Sequence, residues 1–309
     1  MDRHLGTAEA FDGGQVLKPD FVIIGAMKCA TSTLHDQLAR IDGVSMSEPK
    51  EPNFFSNEEV WAQGLDWYQG LFAAMPEQDL KGESSTHYTK LPTYPRCVER
   101  LHAFVPDAKL IYVMRDPIDR VVSQYIHEWS QRVIEDGCPI DDAIDRYPIL
   151  IDYSKYAMQL EPFAAVYGFD RILPVFFERL MASPQEEFER IGEFLGISES
   201  ITWLDDDAKN VSNQRQRRGP VMNAILDNKA LQVLRRTLMP ESLRSKIRSR
   251  WTMNQRPQLS SESVKALHSR LDPDLQRLGS LLGRNLSCVT YREAVMHGSS
   301  PEWAMVEPV

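Results

Sequence analysis

The chain has 309 residues, 42% of them hydrophobic, and a formal net charge of −9, which allows a substantial buried core. No run of 18 apolar residues occurs, and the first 20 residues carry Asp2, Glu9 and Asp12 instead of a basic start and an apolar stretch, so neither a membrane span nor a secretory leader is expected and the cytosol is the expected compartment. The four cysteines, at 29, 97, 138 and 288, show no CxxC or metal-ligand spacing, which predicts reduced thiols, no disulfide framework and no metal site.

The first element is read from FVIIGAMKCATSTLHDQL, residues 21–38. Phe21 to Ile24 is the apolar run of a fully buried parallel strand, predicted over 21–25, and Gly25 supplies the turn after it. Leu34 and Leu38 fall four apart, as on one face of a helix predicted over about 31–40. A strand that feeds a helix through small residues gathers backbone N–H groups and the helix dipole at one spot, which favours an anion. Lys28 adds a full positive charge there. The nucleoside-triphosphatase loop G-x-x-x-x-G-K-[ST] sets its lysine beside the hydroxyl that holds magnesium. Here Thr31, Ser32 and Thr33 come later, so that ligand is missing. On this stretch alone a plain strand, turn and helix with a surface lysine remains open.

A short strand is predicted near 44–46, followed by PKEPNFF at 49–55 and an aromatic-rich connection over 56–78, suited to an acceptor-side wall. A strand at 79–83 and a helix at 94–104 lead to AKLIYVMRDPIDRVVSQYIHEW, residues 108–129. Its apolar run predicts a strand at 109–114. Arg115-Asp116-Pro117 ends that strand, and Pro117 opens a helix over 117–132. Arg115 thus falls at a strand's carboxyl end, with Ser123 two turns into the following helix. Ligands of open parallel sheets bind outside the carboxyl ends of strands, so both motifs are expected to face one crevice. A strand at 171–177, a helix at 184–195 and a helical region over about 220–282 complete the series. The order of segments supports one α/β domain over 18–290, with tails at 1–17 and 291–309.

Charge is uneven along the chain. Between Lys209 and Arg256 there are 12 Lys/Arg against only Asp227 and Glu241. Solvated helix faces are the plain explanation. The block could also attract a polyanionic glycan, or a membrane surface through Leu243, Ile247 and Trp251, which lie at helical spacing beside Arg244, Lys246, Arg248 and Arg250. No nucleic-acid partner is expected, and oligomeric state is not legible.

Taken together, the two motifs resemble those of the sulfotransferases that use 3′-phosphoadenosine 5′-phosphosulfate (PAPS). The likeness is closest to the heparan sulfate and carbohydrate branch with its bacterial relatives, and it covers roughly residues 18–288. It implies a single P-loop-like domain with a central parallel sheet flanked by helices and a helical C-terminal region. It implies that Lys28, Cys29, Ala30, Thr31, Ser32 and Thr33 form the 5′-phosphosulfate loop and that Arg115 and Ser123 bind the 3′-phosphate. A basic loop similar to Arg217-Arg218-Gly219 is expected to join them there. PKEPNFF and Trp67-Tyr68 are similar to further motifs of that branch. Its Glu-Lys-Ser-Pro-x-Tyr segment reads Glu83-Ser84-Ser85-Thr86-His87-Tyr88 here, with Ser84 in place of the lysine.

The implied reaction is in-line transfer of a sulfuryl group to a hydroxyl of a carbohydrate or glycoconjugate, with no metal required. Lys28 would meet the charge on the leaving oxygen. Glu51, where the branch has its glutamate, would be the base. Glu48, His87 and His127 compete for that role, histidine because it titrates near neutrality. Alternative readings are a small-molecule or lipid hydroxyl acceptor, a P-loop kinase or ATPase, and a non-catalytic binder of PAPS or polyanions.

Overall fold

Phe21 to Ile24 have no exposed surface at all, the condition of a strand covered on both faces and paired on both edges. The structure, a computed structural model, describes residues 16–204, 255–297 and 300–304. Its sheet is formed by β1 (Phe21–Gly25), β2 (Val44–Met46), β3 (Leu80–Ser84), β4 (Lys109–Met114) and β5 (Ile172–Phe176), in the spatial order β2-β3-β1-β4-β5. Every pairing is parallel. The expected α/β architecture with a central parallel sheet is therefore observed.

Parallel neighbours need crossovers, and helices supply them. In chain order they are α1 (Thr31–Leu38), α2 (Glu58–Trp61), α3 (Leu65–Gly70), α4 (Cys97–Phe104), α5 (Pro117–Ser130), α6 (Ile140–Arg146), α7 (Ile149–Asp152), α8 (Tyr156–Tyr167), α9 (Phe177–Ala182), α10 (Pro184–Leu195), α11 (Ser261–Leu281) and α12 (Tyr291–Met296). A short 3₁₀ turn, Thr86–Thr89, follows β3. No described helix is long and apolar enough to cross a membrane. From β1 the chain moves outward to β2 and returns to β3, whereas from β4 it moves the other way to β5. Connections leave in opposite directions at β1 and β4, which opens a crevice between their carboxyl ends.

Close packing constrains this frame at Gly82 of β3. A Cβ there would lie 2.3 Å from the Phe21 ring and 2.4 Å from Met46 Sδ, so no side chain fits. Beside it Glu83 is fully buried and accepts hydrogen bonds from Tyr88 Oη at 2.6 Å, Ser85 Oγ at 2.7 Å and Tyr68 Oη. These bonds tie the end of β3 to α3 and to the 3₁₀ turn. Burial pushes the Glu83 carboxyl above its usual range, against the three hydroxyls that pull it down.

The differences from expectation have local causes. The helix expected from residue 94 starts at Cys97; Pro95, which has no N–H to donate, lies in the turn just before it and disfavours helix at the residue it follows. The strand expected over 79–83 is shifted to Leu80–Ser84, which makes Ser84 a strand residue. Helices α6 to α8 went unread in the sequence. They are short and interrupted by Pro139, Pro148 and Pro162, so no long periodicity marks them. Of the region expected to be helical over 220–282, α11 is observed and residues 220–254 lie outside the described residues.

The tail expected from residue 291 is a correction. It begins as α12, whose Tyr291 and Val295 are fully buried, and Tyr291 meets Phe176 of β5 edge to face. Further on, Trp303 donates its indole N–H to the Ile172 carbonyl at 2.6 Å. A six-residue helix with two inward residues is too short to show a period, and its anchoring is long-range. Tyr291→Ala should lower stability by about 3–5 kcal/mol, as loss of a buried aromatic does. Urea unfolding measures this, and an unchanged midpoint would restore the tail reading.

Candidate functional site

The β1–α1 turn is shaped by contact with its neighbours. A Cβ on Gly25 would fall 2.0 Å from Thr89 Oγ1, and that hydroxyl donates to the Ile24 carbonyl at 2.8 Å. Glycine is thus required at the exit of β1. Ala26 N–H donates to the Val113 carbonyl of β4 at 2.8 Å, which docks the turn on the crevice. Lys28 and Ala30 both have positive φ, 72° and 65°, and such alternation turns successive N–H groups toward one concave side. Ala30 is the N-cap of α1 and offers no side-chain acceptor, so the N-cap position leaves the first-turn amides of Thr31, Ser32 and Thr33 without a side-chain cap among the described residues. This is an anion-binding geometry. Cys29, between the two inverted residues, is fully buried, and burial pushes its thiol up to about 12 against the influence of Arg120 and Arg115. It is a neutral, compact filler.

Across the crevice, Asp116 caps α5 by accepting Asp119 N–H at 3.0 Å, with Pro117 at the first helical position. Arg115 precedes this cap. Its Nη1 donates to the Lys28 carbonyl at 3.4 Å, which links the two predicted motifs directly. Its guanidinium carbon lies 4.5 Å from the centre of the Phe177 ring, and Nη2 is 3.7 Å from Asp119. Its Nε is buried with no partner among the described residues. Ser123 is two turns along α5 and buried.

Asp119 gathers further cations. Arg256 Nη2 donates to its Oδ1 at 2.7 Å, and Arg292 of α12 donates to it and, at 3.0 Å, to Asp116 Oδ2. Arg256 is the last residue of the basic block. Arg217, Arg218, Gly219 and the amphipathic stretch around Trp251 lie outside the described residues.

Glu51 belongs to the third neighbouring strand end. Its N–H donates to the Ser84 carbonyl at the end of β3 at 2.9 Å, and Ser84 follows Glu83, the partner of Val22 in β1. Its carboxylate accepts Lys50 Nζ at 3.0 Å and Thr86 Oγ1 at 3.3 Å. Burial acts to raise this carboxyl, but Lys50, Lys90 and His87 together hold it below the ordinary carboxylate value. It is ionised at neutral pH. Glu48, its competitor in the sequence, is exposed. His87 stacks on Tyr94 with ring centres 5.0 Å apart, and burial, aided by Lys90, lowers it to about 4. It is a neutral imidazole beside Glu51. His127 is on α5, one turn beyond Ser123, and its carbonyl accepts Ser130 Oγ at 2.6 Å.

Lys50, His35 and Lys90 were not singled out in the sequence. His35 of α1 is buried and lowered to about 4, by burial and then by Lys50. Lys90 is 8% exposed. Burial brings it down to about 8, while Glu51 and Glu128 pull it upward. The readable signal was local: the segment that has lost a lysine at Ser84 regains one at Lys90, two residues past Tyr88. Around Glu51, Ser47 Oγ, Ser84 Oγ, Asn53 Oδ1, His35 Nδ1 and His87 Nδ1 are buried without hydrogen-bond partners among the described residues. Buried polar atoms are nearly always paired, so this wall suits a polar, hydroxyl-bearing ligand.

Comparison with known proteins gives a consistent result. The sulfotransferase domain family matches residues 18–293. Mouse heparan sulfate glucosamine 3-O-sulfotransferase 3A1 is 31% identical over 201 residues, 62% of this chain and 49% of that protein. Human bifunctional heparan sulfate N-deacetylase/N-sulfotransferase 2 is 27% identical over 217 residues, 61% of this chain and 24% of that protein. The chain thus spans about half the length, or less, of these curated relatives. A sulfotransferase from Alicyclobacillus acidocaldarius superposes with a TM-score of 0.61 at 22% identity, covering 87% of this chain and 97% of that one, which is a likeness of fold.

Lys90 makes a measurable trade between stability and site. Its folded pKa is lowered, so the unfolded chain binds more protons between about 8 and the ordinary lysine value. Stability from this group is therefore lowest below pH 8 and rises with pH across that interval. Lys90→Met should stabilise the protein at pH 7 by roughly 1–3 kcal/mol, with the gain shrinking toward pH 10. Urea midpoints at the two pH values test this, and a destabilised variant at pH 7 would refute it.

Proposed function

The chain belongs to the sulfotransferase family, and from that premise we propose that it transfers the sulfuryl group of PAPS to a hydroxyl of a carbohydrate or glycoconjugate. The observation that carries the reading is the meeting of Lys28, Arg115 and Glu51 at the ends of three adjacent strands, with Arg115 bonded to the Lys28 carbonyl. The heparan sulfate enzymes among the relatives support a glycan acceptor.

The residues fit the co-substrate. The uncapped first turn of α1 and the inverted Lys28 and Ala30 suit its 5′ end, and the unpartnered Nε of Arg115 suits a second anion. Lys28 with Thr31, Ser32 and Thr33 would hold the 5′-phosphosulfate, and Arg115 with Ser123 the 3′-phosphate. PAPS supplies the sulfuryl group and leaves as adenosine 3′,5′-bisphosphate. Glu51 takes the proton of the acceptor hydroxyl as the new oxygen–sulfur bond forms and the bond to the phosphate oxygen breaks. The lysines that keep Glu51 ionised make it a ready acceptor of that proton, though a weaker base than a carboxylate of ordinary pKa. Lys28 faces the charge left on the phosphate oxygen. Neutral His87 flanks the base. The buried, unbonded state of all four cysteines is in keeping with a reducing compartment such as the cytosol.

Adenosine 3′,5′-bisphosphate should raise the melting temperature markedly more than AMP, which lacks the 3′-phosphate, because a ligand selective for the folded state stabilises it by mass action. Equal shifts in differential scanning fluorimetry would remove Arg115 and Ser123 from that role. Two substitutions separate binding from chemistry. Lys28→Ala should weaken both bisphosphate affinity and turnover. Glu51→Gln should leave affinity nearly unchanged while kcat falls by about 10²- to 10⁴-fold. Near wild-type kcat in Glu51→Gln, with loss in His87→Ala or His127→Ala, would move the base to a histidine.

A further inference from the structure

Arg120 has no part in that assignment, yet its charge is unusually placed. The residue has 0% exposure. Its Nε donates to Ser154 Oγ at 2.6 Å, its Nη2 to Gln124 Oε1 at 2.7 Å and to the Leu150 carbonyl at 2.9 Å, and its Nη1 to the Met27 carbonyl at 3.4 Å. Every one of these acceptors is neutral, and the carboxylate in the same network, Glu128, is reached only through Gln124, whose Nε2 donates to Glu128 Oε1 at 3.3 Å. The other deeply buried arginines of the described residues are treated differently. Arg179 meets Glu187 at 2.6 Å and Arg100 meets Glu58 at 2.7 Å. Where this fold buries a guanidinium for structure alone, it sets a carboxylate against it. A buried charge without an opposite partner is strongly disfavoured, and proteins retain one when something else balances it.

The position of Arg120 indicates what that is. Met27 lies in the β1–α1 turn, between the glycine exit and Lys28. The guanidinium therefore holds the turn by one of its carbonyls, while the first turn of α1 has no side-chain cap from its N-cap residue. Its remaining bonds run to α5, to Leu150 of α7 and to Ser154 in the segment joining α7 to α8, so it fastens the turn to those helices. The thiol of Cys29, inside the same turn, is under the positive influence of both Arg120 and Arg115. In a region from which water is excluded, a fixed charge acts over several ångströms with little screening.

We propose that Arg120 is a positioning residue for the anion-binding turn: it clamps the Met27 carbonyl so that the amides face outward, and its unbalanced charge is answered by the anion bound on the far side. This rests on the functional reading above, in which that anion is the 5′ end of the nucleotide. The role differs from that of Arg115, whose side chain is 14% exposed and already shares Asp119.

A purely structural clamp and a charge that awaits an anion respond differently to one isosteric exchange. Gln124 Nε2 also donates to Glu128 Oε1 at 3.3 Å, so Gln124→Glu is made together with Glu128→Gln. The pair of changes places a carboxylate on the very atom pair that now measures 2.7 Å and gives Arg120 an internal partner without setting two buried carboxylates together. The affinity for adenosine 3′,5′-bisphosphate, measured by titration calorimetry, should then weaken by about tenfold, while the melting temperature without nucleotide holds or rises. Arg120→Lys and Arg120→Gln form the second arm. The lysine keeps the charge and should bind at least about fivefold more tightly than the neutral glutamine. Wild-type affinity in the double variant, or equal affinities in the two Arg120 variants, overturns the proposal. If the double variant does not fold, the Arg120 pair decides alone. Should the unaltered protein fail to bind the bisphosphate, the functional reading falls first and this role with it.

Discussion

The parallel pairing of β1 with β3 on one edge and β4 on the other is the constraint on which the rest depends. The register sets Ile23 against Ser84 and Gly25 against Tyr112, so β3 ends two residues short of β1 and β4 runs two residues past it, and the three strands end on one staggered rim. A parallel strand cannot turn back directly, and each of these ends must release a loop that heads for a helix. Three loops therefore begin side by side, carrying Lys28, Arg115 and the Ser84 carbonyl that anchors Glu51. The chemistry gathers there because the sheet leaves it nowhere else to gather. Glycine at 25 and 82 keeps the strands and the overlying side chains in contact, and a methyl group at either place would push them apart.

The two sides of the crevice handle charge in opposite ways. On the β4 side, Asp119 is shared among Arg115, Arg256 and Arg292, so a carboxylate near the proposed phosphate sites is already neutralised by cations from distant parts of the chain. On the β3 side, Glu51 sits among Lys50, Lys90 and two neutral histidines. Nearby ammonium groups keep the carboxylate charged against the pull of burial, and the same ammonium groups act together with burial to keep the imidazoles uncharged. Lys50 leads in holding Glu51, and Lys90, lowered to about 8 by its own burial, is pulled back upward by Glu51.

Features written in contiguous residues were legible in the sequence. The apolar runs of β1 and β4, the turn after each, and the helix start at Pro117 lie within short windows, and they brought Lys28, Arg115 and Ser123 forward as candidates without tertiary information. Glu51 came forward as a candidate through the likeness of its compact motif to the family's. What escaped depends on contacts between remote segments. His35 looks like any helical histidine until the fold brings it near Lys50. Arg292 reads as part of a tail until it meets Asp116 and Asp119, more than a hundred residues back. Arg120 reads as a helix-surface arginine, and only the packing of α7 and α8 behind α5 turns it into a buried one. Hydrophobic period sees faces, and it does not see which polar residue a neighbouring helix will cover.

The placement of the thiols has a consequence for how this protein can be watched. Cys29 and Cys97 have no exposed surface, and Cys138 and Cys288 are 6% and 9% exposed. A maleimide added to the folded chain therefore meets almost no thiol, and modification must wait for the structure to open. Cys29 is held in the turn after β1 and Cys97 at the start of α4, so the two would be unmasked by different motions. Their relative labelling rates distinguish breathing of the nucleotide turn from loosening of the helix behind the sheet, using sulfur atoms the chain already carries.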